Sequence, residues 1–201
     1  IIQPLSQQID QLCHASSVAA LLETIGSGAV TNVFADVSQA DVALVTGSNT
    51  TANHPVAATF IKESARRNTD LIVVDVRSHR LTKFAKHFAC IRPGTDVAFY
   101  NGVMHVLVRE GWIDKSYIES FTEDFEALCN LLEEYTPQHA EEICGVPAAE
   151  IEAIAETIGK STPSGGGGNM LVFWGMGISQ HTTGTDNARC LISLCLMTGN
   201  V

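Results

Sequence analysis

Asp41-Val42-Ala43-Leu44-Val45-Thr46-Gly47 is the stretch on which the fold turns. A short aliphatic run with no polar alternation, ended by glycine, reads as a strand buried on both faces, as in a parallel sheet. Asp70-Leu71-Ile72-Val73-Val74-Asp75 repeats the pattern and is closed by Val76-Arg77. Between the two runs, Pro55 to Arg67 carries Val56, Phe60 and Ile61 at helical spacing. Proline suits the first helical turn, and the basic pair Arg66-Arg67 suits the negative end of the helix dipole. Strand, helix, strand is a βαβ crossover.

Working outward, Cys90-Ile91-Arg92 is predicted as a third, brief strand. Thr95 or Asp96 then caps a helix through Asn101, His105 and Val108 to Glu110, closed by Gly111. Further helices are predicted near Lys115–Phe121, Phe125–Tyr135 and Pro147–Ile158. Ser161-Thr162-Pro163-Ser164 and the four glycines Gly165 to Gly168 interrupt the pattern. With little side chain to pack and much backbone entropy to lose, residues 161–168 read as a flexible surface loop. Met170-Leu171-Val172-Phe173-Trp174 is a fourth strand ending in Gly175-Met176-Gly177, and Thr185 or Asp186 opens a helix through Leu191, Leu194 and Met197. The expected architecture is one α/β domain over residues 1–201, Rossmann-like, with a mainly parallel sheet and helices on both faces.

A net charge of −10 with 12 Lys and Arg makes an electropositive face for nucleic acid or an anionic membrane at most local. No apolar run reaches the ~18 residues needed to span a bilayer, and Ile1-Ile2-Gln3-Pro4 lacks the basic start of a signal peptide, so the chain reads as soluble and cytoplasmic. The absence of an initiating Met and the stop at Thr198-Gly199-Asn200-Val201 read as an excerpt of a longer polypeptide. The six cysteines include no C-x-x-C pair, and five of them read as structural thiols.

Ligands of such sheets lie beyond the carboxyl ends of the strands. There the chain places Gly47-Ser48-Asn49-Thr50-Thr51, Asp75-Val76-Arg77, Arg92-Pro93-Gly94-Thr95-Asp96 and Gly175-Met176-Gly177-Ile178-Ser179-Gln180-His181. Glycine lets a ligand approach the backbone, hydroxyls and helix N-terminal amides suit phosphate oxygens, and a strand-end carboxylate can accept from a ribose hydroxyl or a purine N–H edge. Together they suit a nucleotide-bearing cofactor. The G-x-G-x-x-G fingerprint is missing after the first strand, so an ordinary NAD site is not supported. Gly175-Met176-Gly177 serves equally as a turn, and Asp75 with Arg77 equally as a surface ion pair. Cys13-His14 joins a soft metal ligand to a proton-carrying group, although a thiol beside a histidine is also ordinary packing. His105 reads as a hydrogen-bonded packing residue, His54 as a turn residue, and His79, His87 and His139 as solvated. His181, beside Gln180, stays a candidate site residue, and the acidic run from Glu119 to Glu134 reads as a solvated face.

These elements occur in one order with others. Leu12-Cys13-His14-Ala15-Ser16-Ser17-Val18, Gly26-Ser27-Gly28-Ala29, His54-Pro55, Asn101-Gly102-x-Met104-His105, Tyr135-Thr136-Pro137 and Gln180-His181-Thr182-Thr183-Gly184 complete the series. The series resembles the large catalytic subunit of molybdenum- or tungsten-dependent formate dehydrogenases, over nearly the whole chain. That resemblance implies a bis-molybdopterin guanine dinucleotide cofactor with Mo or W, of which this segment grips one dinucleotide. It implies Cys13 as metal ligand and His14 as the adjacent active-site histidine that assists proton transfer. Gly47, Ser48, Asn49, Asp75, Arg77, Gly94, Asp96 and Gly175 become cofactor-contacting strand ends, with Asp75 as the guanine reader. Met176 and Gln180 match a loop that reaches the pterin. A [4Fe–4S] cluster and a formate-binding arginine are expected outside these residues. The implied partners are formate or CO₂ and electron-transfer subunits or domains of iron–sulfur, flavin or ferredoxin type. Gln11, Ala52 and the length of the Gly165–Gly168 loop depart from the family pattern. A sibling molybdopterin oxidoreductase acting on another oxyanion, and a non-catalytic nucleotide-binding domain, are the alternative readings.

Overall fold

A computed structural model of the chain describes the backbone of residues 5–29 and 32–201 and the side chains of residues 14–29 and 32–201. Along the chain come α1 (Leu5–Ile25), a 3-10 turn at Phe34–Gln39, β1 (Val42–Thr46), α2 (Thr50–Asn53), α3 (Pro55–Arg67), β2 (Asp70–Asp75), a 3-10 turn at Arg80–Phe84 and β3 (His87–Cys90). Five helices follow, α4 (Asp96–Glu110), α5 (Lys115–Phe121), α6 (Phe125–Leu132), α7 (Pro137–Cys144) and α8 (Ala148–Gly159). β4 (Met170–Trp174), α9 (Met176–Ser179) and α10 (Gly184–Thr198) come last.

Among the described residues the sheet has four strands, in the order β3-β2-β1-β4. All three pairings are parallel, with Leu44 facing Ile72 on one side and Val172 on the other. Strand side chains alternate between two faces, and both faces are covered, which is why β1 and the centre of β2 read as unbroken apolar runs. Val42, Leu44, Ile72 and Val74 meet α4, α8 and α10 through residues such as Phe99, Ile154 and Leu191. Ala43, Val45, Leu71 and Val73 meet Ile61 of α3 together with Val37 and Leu81 of the two 3-10 turns. Each such aliphatic side chain contributes about 1.5–3 kcal/mol over exposure, so these two layers dominate the stability of the fold.

Several expectations shift in detail. The buried face of α3 is Ala57, Ala58, Ile61 and Ser64, while Val56 is 73% exposed and Phe60 42%. Small residues win because the helix lies close against the Phe34–Gln39 turn, leaving the larger side chains outside. β3 spans His87–Cys90 rather than Cys90–Arg92, and its first residue is far from solvated. The His87 ring bridges Glu150 Oε1 (2.9 Å from Nδ1) and Thr157 Oγ1 (3.0 Å from Nε2) on α8, which satisfies both ring nitrogens and permits a histidine to open a strand. α7 was not expected, yet its signals are present: the Thr136 hydroxyl accepts from His139 N, Pro137 takes the first position, and Gly145 ends the helix at φ +79°. The loop after α8 is tied down where it begins. Ser161 and Thr162 are buried, and the Thr162 carbonyl accepts from the backbone N–H groups of Gly165, Gly166 and Gly167.

Edge strand β4 borders an apolar groove of about 610 Å³ lined by residues including Leu21, Phe34, Phe173, Ile192 and Leu196. No helix among the described residues is long and apolar enough to cross a membrane.

Candidate functional site

The chain from β1 returns to β2 on one side, whereas the chain from β3 crosses over to β4 on the other, so the strand order reverses between β1 and β4. A crevice forms at such a switch point, outside the carboxyl ends of the strands. Here the two turns flanking it interlock. Gly47 N donates to Val74 O (3.1 Å), Gly175 N to Thr46 O (3.1 Å) and Gly177 N to Gly47 O (3.0 Å). A Cβ added at Gly47, whose φ is +55°, would stand 2.8 Å from Gly177 C, and one at Gly177 would stand 2.7 Å from Gly47 Cα. The turns themselves therefore demand these glycines, in addition to any ligand they admit. Gly94, at φ +79°, is different: its Cβ would meet open space, which leaves the backbone after β3 approachable.

The polar groups of the first turn are engaged with one another. Ser48 Oγ and Thr50 Oγ1 are 3.1 Å apart, and Asn49 Oδ1 accepts from Thr51 Oγ1 at 3.0 Å. Asn49 O also accepts from Ala52 N (2.9 Å) and Asn53 N (3.0 Å), fixing the turn into α2. After β2, Asp75 and Arg77 do not form the ion pair the sequence allowed. Asp75 Oδ1 instead accepts from the Arg77 backbone N–H at 3.3 Å, and the Arg77 guanidinium is left on the surface. His79, expected to be solvated, folds back underneath, with Nε2 3.6 Å from Asp75 Oδ2.

Asp96, first residue of α4, is only 4% exposed. Burial pushes its carboxyl above the usual range; its backbone hydrogen bond and the nearby His181 work against that shift, and Asp75 adds to it. The candidate His181 thus lies near the start of α4. Deeper, the Tyr100 hydroxyl donates to Thr46 Oγ1 at 2.6 Å, pinning α4 to the last residue of β1, and burial drives its pKa well up.

The helix that carries Cys13-His14 is joined to this edge by serines that the sequence did not single out. Ser16 Oγ donates to Ser179 O (2.6 Å), and the Ser17 and Ser179 hydroxyls are 2.5 Å apart. Trp174 Nε1 donates to Ser17 Oγ at 3.1 Å. α1 is thereby fastened to α9, the short helix containing Met176, and Gln180 follows as its cap, with Gln180 N donating to Met176 O at 2.8 Å. Cys13 stands one helical turn before Ser16 and Ser17 on α1; its side chain lies outside the described residues. His14 is exposed. The one available sequence signal for this contact is the small-residue run Ala15-Ser16-Ser17, whose partner lies 162 residues away. Among the described residues no three His, Cys, Asp or Glu side chains gather into a chelate.

A parallel sheet with an interlocked glycine crevice at its switch point and a strand-end carboxylate defines a doubly wound α/β domain. The particular family follows from comparison with known proteins. The pattern of the family described as "Molybdopterin oxidoreductase" matches residues 4–201, and the chain belongs to that family. It is 35% identical over 191 residues to the F420-dependent formate dehydrogenase 1 subunit alpha of Methanococcus maripaludis, covering 95% of this chain and 27% of that one. It is 31% identical to a nitrate reductase of Synechocystis, covering 95% of this chain and 26% of the other. The chain thus spans about a quarter of the length of these relatives. Among solved structures it is similar to the acetylene hydratase of Pelobacter acetylenicus, with a TM-score of 0.80 at 23% identity over 94% of this chain and 24% of that one. That likeness establishes the shared α/β fold.

The residues present fit a pterin nucleotide on their own chemistry. Gly94 offers open backbone, Asp75 offers a carboxylate held on one oxygen, and His79 Nε2 is a buried side-chain atom that lacks a hydrogen-bond partner.

Proposed function

We propose that this chain is the part of a formate dehydrogenase catalytic subunit that grips one molybdopterin guanine dinucleotide and presents Cys13 and His14 to the metal. The observation that carries the reading is the fastening of α1 to α9 through Ser16, Ser17 and Ser179, which holds the Cys13-His14 helix against the Met176–Gln180 loop at the switch point. The relative from Methanococcus, a formate dehydrogenase alpha subunit by name, supports formate as substrate.

In this reading the Cys13 thiolate is the protein's ligand to Mo or W, since coordination keeps a thiol deprotonated and soft donors suit these metals. Asp75 accepts the N–H edge of guanine, and Arg77, exposed beside it, neutralises phosphate. Gly47, Ser48, Asn49, Gly94 and Gly175 supply turn backbone and hydroxyls along the dinucleotide, and Asp96 closes the far side. Met176 and Gln180 reach the pterin. When bound, the metal centre supplies a two-electron acceptor. Oxidising formate to CO₂ releases two electrons and one proton, and His14 takes that proton on a ring nitrogen. A [4Fe–4S] cluster, if held by residues outside these, would supply an outlet for the electrons toward a redox partner. The isolated segment has no turnover, because it spans about a quarter of such a subunit.

The test is Cys13→Ala in the full-length subunit, assayed with formate and nitrate in parallel. Loss of formate oxidation is expected; undiminished formate oxidation refutes the role of Cys13. Because a relative of nearly equal similarity is a nitrate reductase, turnover of nitrate in place of formate by the unaltered protein would move the assignment to that sibling chemistry.

A further inference from the structure

His79 carries a buried polar atom, Nε2, that the proposed chemistry does not use and that has no hydrogen-bond partner among the described residues. It caps the 3-10 turn at Arg80–Phe84 from an extended backbone, φ −145° and ψ −177°. Its carbonyl is held by Thr82, whose N–H donates at 3.1 Å and whose hydroxyl donates at 2.8 Å. The ring is held as well. Nδ1 accepts from the Leu81 backbone N–H at 3.4 Å, which places the proton of the neutral ring on Nε2. That Nε2 is buried without a hydrogen-bond partner, and its side chain is 5% exposed. It faces Asp75 Oδ2 at 3.6 Å, just beyond hydrogen-bonding range, and Asp75 is itself only 12% exposed.

A carboxylate that reads a guanine edge must accept two parallel N–H groups, from N1 and from the exocyclic amine, and it does so only when its plane is fixed. Each carboxylate oxygen has a second lone pair that the protein must satisfy or leave desolvated. Arg77 N serves Oδ1. Among the described residues no hydrogen bond is donated to Oδ2, and Nε2 of His79 stands 3.6 Å from it. The cost of the orphaned N–H in the free protein is then relieved when the base sets the carboxylate in place.

We infer that His79 is a positioning residue: through Nε2–H it sets the plane of the Asp75 carboxylate for the guanine of the bound dinucleotide. This rests on the reading of Asp75 as the base-reading residue, and the experiment separates the two. Full-length subunits carrying His79→Asn, His79→Gln or Asp75→Ala are purified with cofactor, and the rate at which GMP-bearing cofactor is lost on dilution is measured by acid release and chromatography of GMP. Asn keeps an acceptor for Leu81 N but has no donor that reaches Asp75; Gln keeps a donor near the place of Nε2. His79→Asn is expected to lose cofactor about tenfold faster than the native protein, the size of a lost hydrogen bond to a charged group, and His79→Gln to remain within about threefold. Equal loss by Asn and Gln variants, or none by Asn while Asp75→Ala loses cofactor, overturns the inference about His79. Native-like retention by Asp75→Ala refutes the reading of Asp75, and the inference falls with it.

Discussion

The interlock between the turns after β1 and β4 makes alanine far less tolerable at Gly47 than at Gly94. Gly47 and Gly94 both have positive φ, +55° and +79°, so alanine at either pays the left-handed backbone penalty of about 1–2 kcal/mol. Only at Gly47 does the new methyl also meet backbone, at 2.8 Å from Gly177 C and Ile178 N, where carbon atoms rest about 3.5–4.0 Å apart. The turns must part by about 0.7 Å or more, an overpacking that costs about 1–3 kcal/mol. Gly47→Ala should therefore destabilise by about 2–5 kcal/mol and Gly94→Ala by about 1–2. Urea unfolding followed by tryptophan fluorescence, with Trp174 at the end of β4 as reporter, gives both values. With a slope of about 2 kcal/mol/M the midpoints should differ by about 0.5–1.5 M. Gly177→Ala carries the clash, 2.7 Å to Gly47 Cα, without a positive φ, and its effect should combine non-additively with that of Gly47→Ala. Equal losses at Gly47 and Gly94, within about 0.5 kcal/mol, would refute the interlock.

Tyr100→Phe removes the donor to Thr46 Oγ1, a buried atom at the end of β1, and should cost about 1–3 kcal/mol in the same unfolding experiment. Ser17→Ala takes the acceptor from Trp174 Nε1 and a partner from Ser179 at once, so a similar loss should come with a shift in tryptophan emission; an unchanged spectrum would count against the serine contact. Asp96 has a folded-state pKa above its ordinary 3.8, so the folded protein binds more protons than the unfolded one. Stability on this account is greatest below about pH 3.8, falls as pH rises to the folded pKa, and stays low at neutral pH. Cofactor-free Asp96→Asn should therefore be more stable than the native protein at pH 7 and show a smaller advantage near pH 3.5; lower stability at pH 7 would refute it.

β1 and β2 were legible because strands buried on both faces have only apolar side chains to show, and β4 because its run Met170–Trp174 is as apolar, although four of its five residues are only half-buried at the sheet edge. β3 was displaced because its polar first residue is made tolerable by Glu150 and Thr157, partners 63 and 70 residues away that no local pattern reveals. α3 was placed by Pro55 and the arginine pair, but its inward face was misjudged, since close approach of a neighbouring turn favours Ala57 and Ala58 over Val56 and Phe60. The strand-end candidates come from the switch-point rule once the strands are assigned, whereas the roles expected of Cys13 and His14 come from the family resemblance. What escaped was the site's support. His79 looks like a surface histidine in Val76-Arg77-Ser78-His79-Arg80, and only the fold brings it under Asp75. Ser16, Ser17 and Ser179 are unremarkable singly, and acquire meaning only through a contact between distant segments.

That distance has a consequence for how the protein is made. The contact of Ser17 with Ser179 closes a loop of 162 residues, for an entropic cost of about 4–5 kcal/mol beyond a constant, recovered only when β4 docks beside β1. Strands β1 to β3 and their helices emerge from the ribosome well before β4, α9 and α10, so the crevice does not exist while most of the domain is already able to collapse. On the proposed reading, capture of the cofactor would then be a late event in biogenesis, and a chain truncated before Met170 would lack the crevice between β1 and β4 altogether.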